Sequence, residues 1–141
     1  MRPRSGDTGR VPGNTEVVER LADAFEREDM EGSLACLDPE VQLHPIRARL
    51  EGTSYVGHEG WRRMLADWDS DWEGLRLEHR KLHEKGDLVV AVGRFTARGR
   101  TSGVELDVPL GLLYRLREGK IVRVESFTEP DQALRAAGID Q

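Results

Sequence analysis

The chain has 141 residues, of which 33% are charged and 38% hydrophobic, and its net charge is -5. This length suits one domain, and the acidic balance argues against a general attraction to nucleic acid or anionic membranes. Since no run of about 18 apolar residues occurs, we predict no membrane span and a cytoplasmic protein. Cys36 is the single cysteine, so we expect no internal disulfide, metal site or cofactor.

The N-terminal residues 1–13 are rich in glycine, proline and arginine, which predicts a disordered tail before a single domain at 14–141. Apolar residues then recur at helical spacing, which predicts an amphipathic helix over about 15–29. They are Val18, Leu21, Ala22 and Phe25. A short second helix should follow, with Leu34 and Leu37 facing inward and Asp38-Pro39 at its end.

The middle of the chain begins with a predicted short strand, Val41 to His44, closed by Pro45. Residues 46–56 read as irregular. From His58 to Trp72 a second strong helix is predicted, because large apolar residues form one stripe along it. These are Trp61, Leu65, Trp68 and Trp72, with Met64 beside them. Such a stripe fits a core, and it also fits a pocket wall.

From Leu75 the pattern changes to period two, which indicates strands joined by tight turns. Residues Leu88 to Arg98 and Val104 to Leu116 each give one mainly apolar face, and Ile121 to Thr128 gives the last strand. A terminal helix should start at Pro130 and stop before Gly138. Helices followed by an antiparallel meander make an α+β fold.

Four segments in this order resemble one known superfold. They are Arg27-Glu28-Asp29-Met30-Glu31-Gly32, Asp38-Pro39-Glu40-Val41, Tyr55-Val56-Gly57-His58-Glu59-Gly60, and Gly119-Lys120-Ile121-Val122-Arg123 leading to Glu129-Pro130-Asp131-Gln132-Ala133-Leu134. Over residues 15–138 the chain is similar to the nuclear transport factor 2-like superfamily, which includes ketosteroid isomerase-like and SnoaL-like domains. The resemblance implies a cone of three to four helices packed on a strongly curved, mixed but mostly antiparallel sheet that encloses a pocket.

Known catalytic sets of this superfamily match the chain only in part. Against a ketosteroid isomerase-like site, His44 before Pro45 takes the position of the base, but Leu21 and Leu112 stand where a tyrosine and an acid would be. An epoxide hydrolase-like site would need an acid two residues after Arg94, where Thr96 stands. For a dehydratase-like site, the available residues are His44, Tyr55 and Tyr114. SnoaL-like cyclases use an inward aspartate as the base; the candidate here is Asp107, but the alternation of the strand predicts that it points outward.

Alternation also suggests which side chains line the pocket. We predict His44 as the candidate catalytic base and a ligand-binding set of Tyr55, Trp61, Leu65, Arg94, Leu112 and Tyr114. Arg94 would anchor an anionic or carbonyl group; alternatively, it pairs with a structural carboxylate or lies at the wet rim. His44 has the alternative of a purely structural hydrogen bond. The remaining histidines, at positions 58, 79 and 83, are expected to be solvated.

These predictions favour a protein that binds a mainly apolar small molecule with one polar end. The alternative is an enzyme of the polyketide cyclase, isomerase or epoxide hydrolase type, with His44 as general base and Arg94 as anchor. A third reading is a pure dimerisation module. We also predict a homodimer through the outer sheet face that bears Phe95, Leu113, Arg115, Glu125 and Phe127.

Overall fold

A computed structural model describes residues 13–139 of the chain. The elements, in chain order, are α1 (Asn14–Glu26), α2 (Met30–Cys36), β1 (Leu37–His44), α3 (Ile46–Glu51), β2 (Tyr55–Val56), α4 (Gly57–Asp71), β3 (Trp72–Lys85), β4 (Leu88–Gly99), β5 (Glu105–Arg117), β6 (Lys120–Phe127) and α5 (Pro130–Ala136). The predicted tail lies, apart from Gly13, outside the described residues.

The six strands form one sheet in the order β2-β1-β6-β5-β4-β3. The long strands β3 to β6 form an antiparallel meander, as their tight turns predicted. β1 joins the sheet by lying parallel to β6, with Leu43 beside Val124, and β2 pairs antiparallel with β1. The result is a mixed, mostly antiparallel sheet within an α+β fold, as expected from the sequence.

The helices α1 and α4 cover one face of this sheet, and the main core lies between them. Because partners across neighbouring strands share a face, the register assigns each side chain to that face or to the other. Tyr114 stands opposite Val89 and Val124, and Leu112 stands opposite Ala91 and Ser126. We call this side the concave face, and the side away from α1 and α4 the outer face.

The outer face is partly covered by α5. Leu113 and Phe127 pack against Ala133 and Leu134 of this helix, and all four are buried. Gly111 permits the approach, because a Cβ there would meet Pro130 Cα and the Ala133 side chain at 2.9 Å. The apolar residues expected to drive dimerisation are therefore covered by the chain itself. Phe95 was wrongly assigned, since it belongs to the concave face and meets Trp72 edge to face at 5.9 Å.

The structure corrects several local predictions. Residues 46–56, expected to be irregular, contain α3 and β2. The first strand begins at Leu37 and runs through Pro39, so Asp38-Pro39 does not end α2. In β3 the pairing shifts between His79 and Lys81; this bulge turns Leu82 rather than Lys81 toward the concave face. Among residues 13–139, no helix is long and apolar enough to cross a membrane.

Candidate functional site

A small cavity lies between the helices and the concave face, and we call it the inner cavity. Its volume is about 50 Å³. Its walls are largely aliphatic and aromatic, and the residues with polar side-chain atoms are two histidines, a serine, a tyrosine and two tryptophans. They comprise Leu21, Ala22 and Phe25 of α1, Leu43, His44 and Pro45, Trp61, Met64 and Trp68 of α4, Leu77 and His79 of β3, Leu112 and Tyr114 of β5, and Val124 and Ser126 of β6.

Aromatic side chains make the helical wall of this cavity. Phe25 meets Trp61 edge to face with ring centroids 6.5 Å apart, and it meets Trp68 in the same way at 6.3 Å. Trp61 is only 6% exposed. Its indole Nε1 is buried and has no hydrogen-bond partner within the described part of the chain. Trp61 lines the cavity, so a water molecule or a ligand that reaches this N–H from the cavity would supply the missing partner.

The opposite wall brings a histidine and a tyrosine together. The imidazole of His79 lies edge to face with the Tyr114 ring, with centroids 6.3 Å apart. Burial lowers the pKa of His79, because the protonated imidazole would lose its hydration. Burial also raises the pKa of the Tyr114 phenol well above its ordinary value. At neutral pH the cavity therefore contains an uncharged imidazole and an uncharged phenol.

His79 was missed by the sequence analysis, which expected it to be solvated. The signal was available, because His79 stands two residues after Leu77, an apolar position on the same face of β3. His44, the candidate catalytic base, lies on the cavity wall beside Pro45 at the end of β1. Its catalytic role stays a prediction.

A wider depression, the outer groove, adjoins the inner cavity. Its volume is about 740 Å³, and the C-terminal half of α4, the end of α1, the start of α2 and the start of β3 line it. Phe25, Trp68 and Leu77 line both the cavity and the groove. These three side chains therefore form a partition between an apolar space and a wider, more polar one. Leu65, predicted as a ligand contact, lines the groove.

The groove wall is charged, with five acidic side chains against three arginines: Glu26, Glu28, Asp29, Asp69 and Glu73, and Arg62, Arg76 and Arg100. The arginines already have carboxylate partners. Arg76 reaches Glu26 at 3.3 Å, and Arg100 reaches Asp69 at the same distance. The Arg62 guanidinium lies 3.6 Å from Glu59. The groove is therefore an acidic surface with its cations paired.

Arg94 does not share a cavity with His44, and this prediction was wrong. Arg94 pairs with Pro109 across the β4–β5 ladder, which places it on the outer face. There its Nε donates to Asp107 Oδ1 at 2.7 Å. This is the alternative of a structural carboxylate partner that the sequence left open. Asp107 itself lies outward, as predicted.

Tyr55 is also absent from the walls of both the cavity and the groove. It lies on β2 at the edge of the sheet, where its hydroxyl donates to Asp67 Oδ2 at 2.5 Å. The Arg63 guanidinium lies over its ring, 5.7 Å from the centroid. These contacts tie β2 to α4, so Tyr55 has a structural explanation. Of the predicted ligand-binding set, Trp61, Leu112 and Tyr114 line the inner cavity.

The chain has a mixed sheet with two helices and a cavity on its concave side, and this arrangement is that of the nuclear transport factor 2-like proteins. Within that class, the profile of the SnoaL-like domain matches residues 18–124. The chain therefore belongs to the SnoaL-like family, and the resemblance seen in its sequence is confirmed. No sequence among functionally curated proteins matches it.

Solved structures of the same fold are similar over most of the chain. A nuclear transport factor 2-like protein from Burkholderia thailandensis superposes with a TM-score of 0.76 at 24% identity, covering 87% of this chain and 98% of its own. TerC, co-crystallised with polyporic acid, gives 0.74 at 25% identity over 84% and 93%. A candidate polyketide cyclase from Pseudomonas putida gives 0.71 at 19% identity over 85% and 94%.

Proposed function

We propose that the chain binds a small, mainly apolar molecule with one polar end, in the inner cavity extended into the outer groove. The observation that carries this proposal is the shared partition of Phe25, Trp68 and Leu77 between the two spaces. A movement of these side chains would join an apolar cavity to an open groove. The inner cavity, which is concave and apolar with few polar groups, has the character typical of small-molecule pockets.

Size supports a site that uses both spaces. A cavity of about 50 Å³ has room for about one or two water molecules, since each takes roughly 30 Å³ in the liquid. An organic ligand with two rings needs more space than that. The groove, at about 740 Å³, supplies it on the far side of the partition.

Two proteins of the same fold support the proposal, because their descriptions refer to small organic molecules. TerC was co-crystallised with polyporic acid, and the Pseudomonas protein is described as a candidate polyketide cyclase. Both descriptions concern small organic molecules, which fits a pocket of this character.

The binding proposal can be tested with 2-acetylnaphthalene as the probe. The three tryptophans of the chain, Trp61, Trp68 and Trp72, all line the cavity or the groove, so their fluorescence should report binding. Ala22→Leu adds bulk to the cavity wall and should weaken binding about tenfold or more, which corresponds to a loss of roughly 1.4 kcal/mol.

The matched control is Ala35→Leu, the same change at an exposed site on α2. It should leave the dissociation constant as in the parent. Saturable binding that is weakened only by Ala22→Leu supports the proposal. Absence of saturable quenching, or equal weakening by both variants, would count against it.

A second candidate function is proton transfer on the bound molecule. The observation that favours it is the presence of His44 and the neutral His79 in one apolar cavity with Tyr114. An uncharged imidazole near neutral pH can accept a proton from carbon next to a carbonyl. His44 would take the proton, and the developing enolate oxygen would accept a hydrogen bond from a cavity donor.

Deuterium exchange into the methyl group of 2-acetylnaphthalene, followed by NMR in D₂O, tests this activity. The parent should accelerate exchange, and His44→Gln should abolish the acceleration while retaining binding. His58→Gln is the control, because the His58 Nε2 lies 2.9 Å from the Leu37 carbonyl oxygen, away from the cavity walls. Exchange at the rate of buffer alone would leave binding as the function.

The homodimer and the cytoplasmic location remain proposals. With Leu113 and Phe127 beneath α5, the outer face retains mainly charged side chains for a dimer contact, such as Arg115 and Glu125. A two-fold contact there would have to pair opposite charges. Light scattering at micromolar concentration tests it, and a mass near 15.9 kDa would exclude the dimer under those conditions.

A further inference from the structure

The buried indole of Trp61 indicates what kind of atom the ligand places in the cavity. Trp61 is only 6% exposed, and its Nε1 has no hydrogen-bond partner among the backbone groups and side chains that the structure describes. An indole N–H can only donate. Leaving it unpaired in an apolar cavity costs free energy, which a ligand with an acceptor atom would recover.

The position of Trp61 on α4 gives the ligand a direction. Trp68 follows Trp61 by seven positions, which amounts to about two helical turns and roughly 10 Å along the axis. Trp68 belongs to the partition, whereas Trp61 lines the cavity and not the groove. An acceptor bound to Trp61 therefore lies at the inner end of the molecule, on the cavity side of Phe25 and Trp68.

The charge of the groove indicates that this acceptor is neutral. Carboxylates outnumber guanidinium groups along the groove, and the arginines there already have carboxylate partners. An anionic ligand would approach through a negative potential. It would then lose its hydration in a cavity where His79 stays uncharged and the Arg94 cation lies on the other face of the sheet. A carbonyl or ether oxygen meets neither obstacle.

We propose that the Trp61 Nε1–H is the specificity-determining donor of this pocket and selects molecules that enter with a neutral carbonyl oxygen foremost. This inference rests on the proposed binding function and adds the class of ligand. It predicts that neutral ketones are preferred over hydrocarbons and carboxylates of the same shape. The oxygen-rich end therefore lies beside Trp61 rather than beside Arg94.

Three naphthalenes of matched shape test the proposal: 2-acetylnaphthalene, 2-ethylnaphthalene and 2-naphthoate. Dissociation constants are measured by calorimetry for the parent, Trp61→Phe and Tyr55→Phe. Trp61→Phe keeps an aromatic wall and removes the donor. Tyr55→Phe is the control, because it removes a hydrogen-bond donor from a residue that lines neither the cavity nor the groove. The preference for the ketone over the ethyl compound should fall about tenfold in Trp61→Phe and stay unchanged in Tyr55→Phe.

A second measurement uses the parent protein alone, in case Trp61→Phe does not fold. Each of the three tryptophans gives one indole signal in a ¹H–¹⁵N spectrum, and Trp68→Phe and Trp72→Phe identify two of them. The Trp61 indole proton should shift downfield with 2-acetylnaphthalene and not with 2-ethylnaphthalene. 2-Naphthoate should bind at least about tenfold more weakly than the ketone, as expected for an unpaired charge in an apolar site.

The outcomes separate the two proposals. If both neutral probes bind but Trp61→Phe leaves their ratio unchanged and the indole signal does not respond to the ketone, the donor is satisfied by water and this inference is wrong, while the binding function stands. Tighter binding of 2-naphthoate would also overturn it. If none of the probes binds the parent, the binding function fails and this inference fails with it.

Discussion

Phe25 and Trp68 meet edge to face, with ring centroids 6.3 Å apart, where the inner cavity adjoins the outer groove. One ring comes from α1 and the other from α4, so their contact holds the two helices together above the concave face. Edge-to-face pairs of this kind stabilise a fold by about 0.5–1.5 kcal/mol beyond the area they bury. On the proposed binding mode, a molecule that passes from groove to cavity would move past this pair.

Phe25→Leu should therefore speed ligand exchange more than it changes affinity. The smaller leucine side chain keeps the cavity apolar and leaves more room for a ligand to pass between the cavity and the groove. We expect both the association and the dissociation rate of 2-acetylnaphthalene to rise, measured by stopped-flow tryptophan fluorescence. Phe95→Leu is the control, because Phe95 is partly buried but lines neither space. Equal rates in Phe25→Leu and the parent would mean that the ligand takes another path.

Trp61→Ala should destabilise the fold by about 3–5 kcal/mol, the usual cost of truncating a large buried aromatic residue. Trp68→Ala should cost less, because Trp68 stays partly exposed at the groove. Urea unfolding followed by circular dichroism measures both values. A change below about 1 kcal/mol in Trp61→Ala would contradict the packing of α4 described above.

His79 should make the protein less stable in mild acid. Burial lowers its pKa from the ordinary value of 6.5, so the unfolded chain takes up a proton at a higher pH than the native protein. Stability therefore rises with pH across this interval and falls as the pH decreases below about 6.5. His79→Gln should lose less stability than the parent between pH 7.5 and 5.5 in urea titrations.

The control for that comparison is His83→Gln, which removes an imidazole from the outer face of the same strand, opposite Val90. It should keep the pH dependence of the parent. Identical pH dependence in all three proteins would show that His79 is solvated in the native state.

The Arg94–Asp107 ion pair should contribute little to stability and nothing to binding. Its two side chains are 32% and 64% exposed, and exposed pairs typically contribute less than about 1 kcal/mol. Arg94→Met should therefore unfold at nearly the parent urea concentration and bind 2-acetylnaphthalene with the parent dissociation constant. A several-fold loss of affinity would restore Arg94 as a ligand anchor.

The sequence was sufficient for the elements with strong periodicity and clear turns, such as α1, α4 and the meander from β3 to β6. It was insufficient for Arg94, because a difference of one residue in the strand register decides which face of the sheet this side chain occupies. A regular turn at 99–103 would place Arg94 opposite Val108, but the observed register places it opposite Pro109. Since side chains alternate with period two, a slip of one residue moves the whole strand to the other face.

The register also decides the position of His79. Its spacing from Leu77 was compatible with the concave face, and the β3–β4 pairing opposite Gly93 puts it there. Gly93 admits this close approach, because a Cβ there would lie 1.6 Å from the Glu78 carbonyl oxygen. Tyr55 looked like a pocket residue because its partner Asp67 lies 12 positions away, beyond local pattern reading.

The parallel pairing of β1 with β6 also sets the order in which the chain can be completed during synthesis. Gln42 and Arg123 hydrogen-bond at 3.0 Å although 81 positions separate them. Until the ribosome has made β6, β1 lacks this neighbour, and Leu43 lacks Val124 beside it. Contacts between such distant segments form slowly. The cavity is consequently incomplete until β6 supplies Val124 and Ser126, and nascent chains that end before residue 120 should not bind 2-acetylnaphthalene.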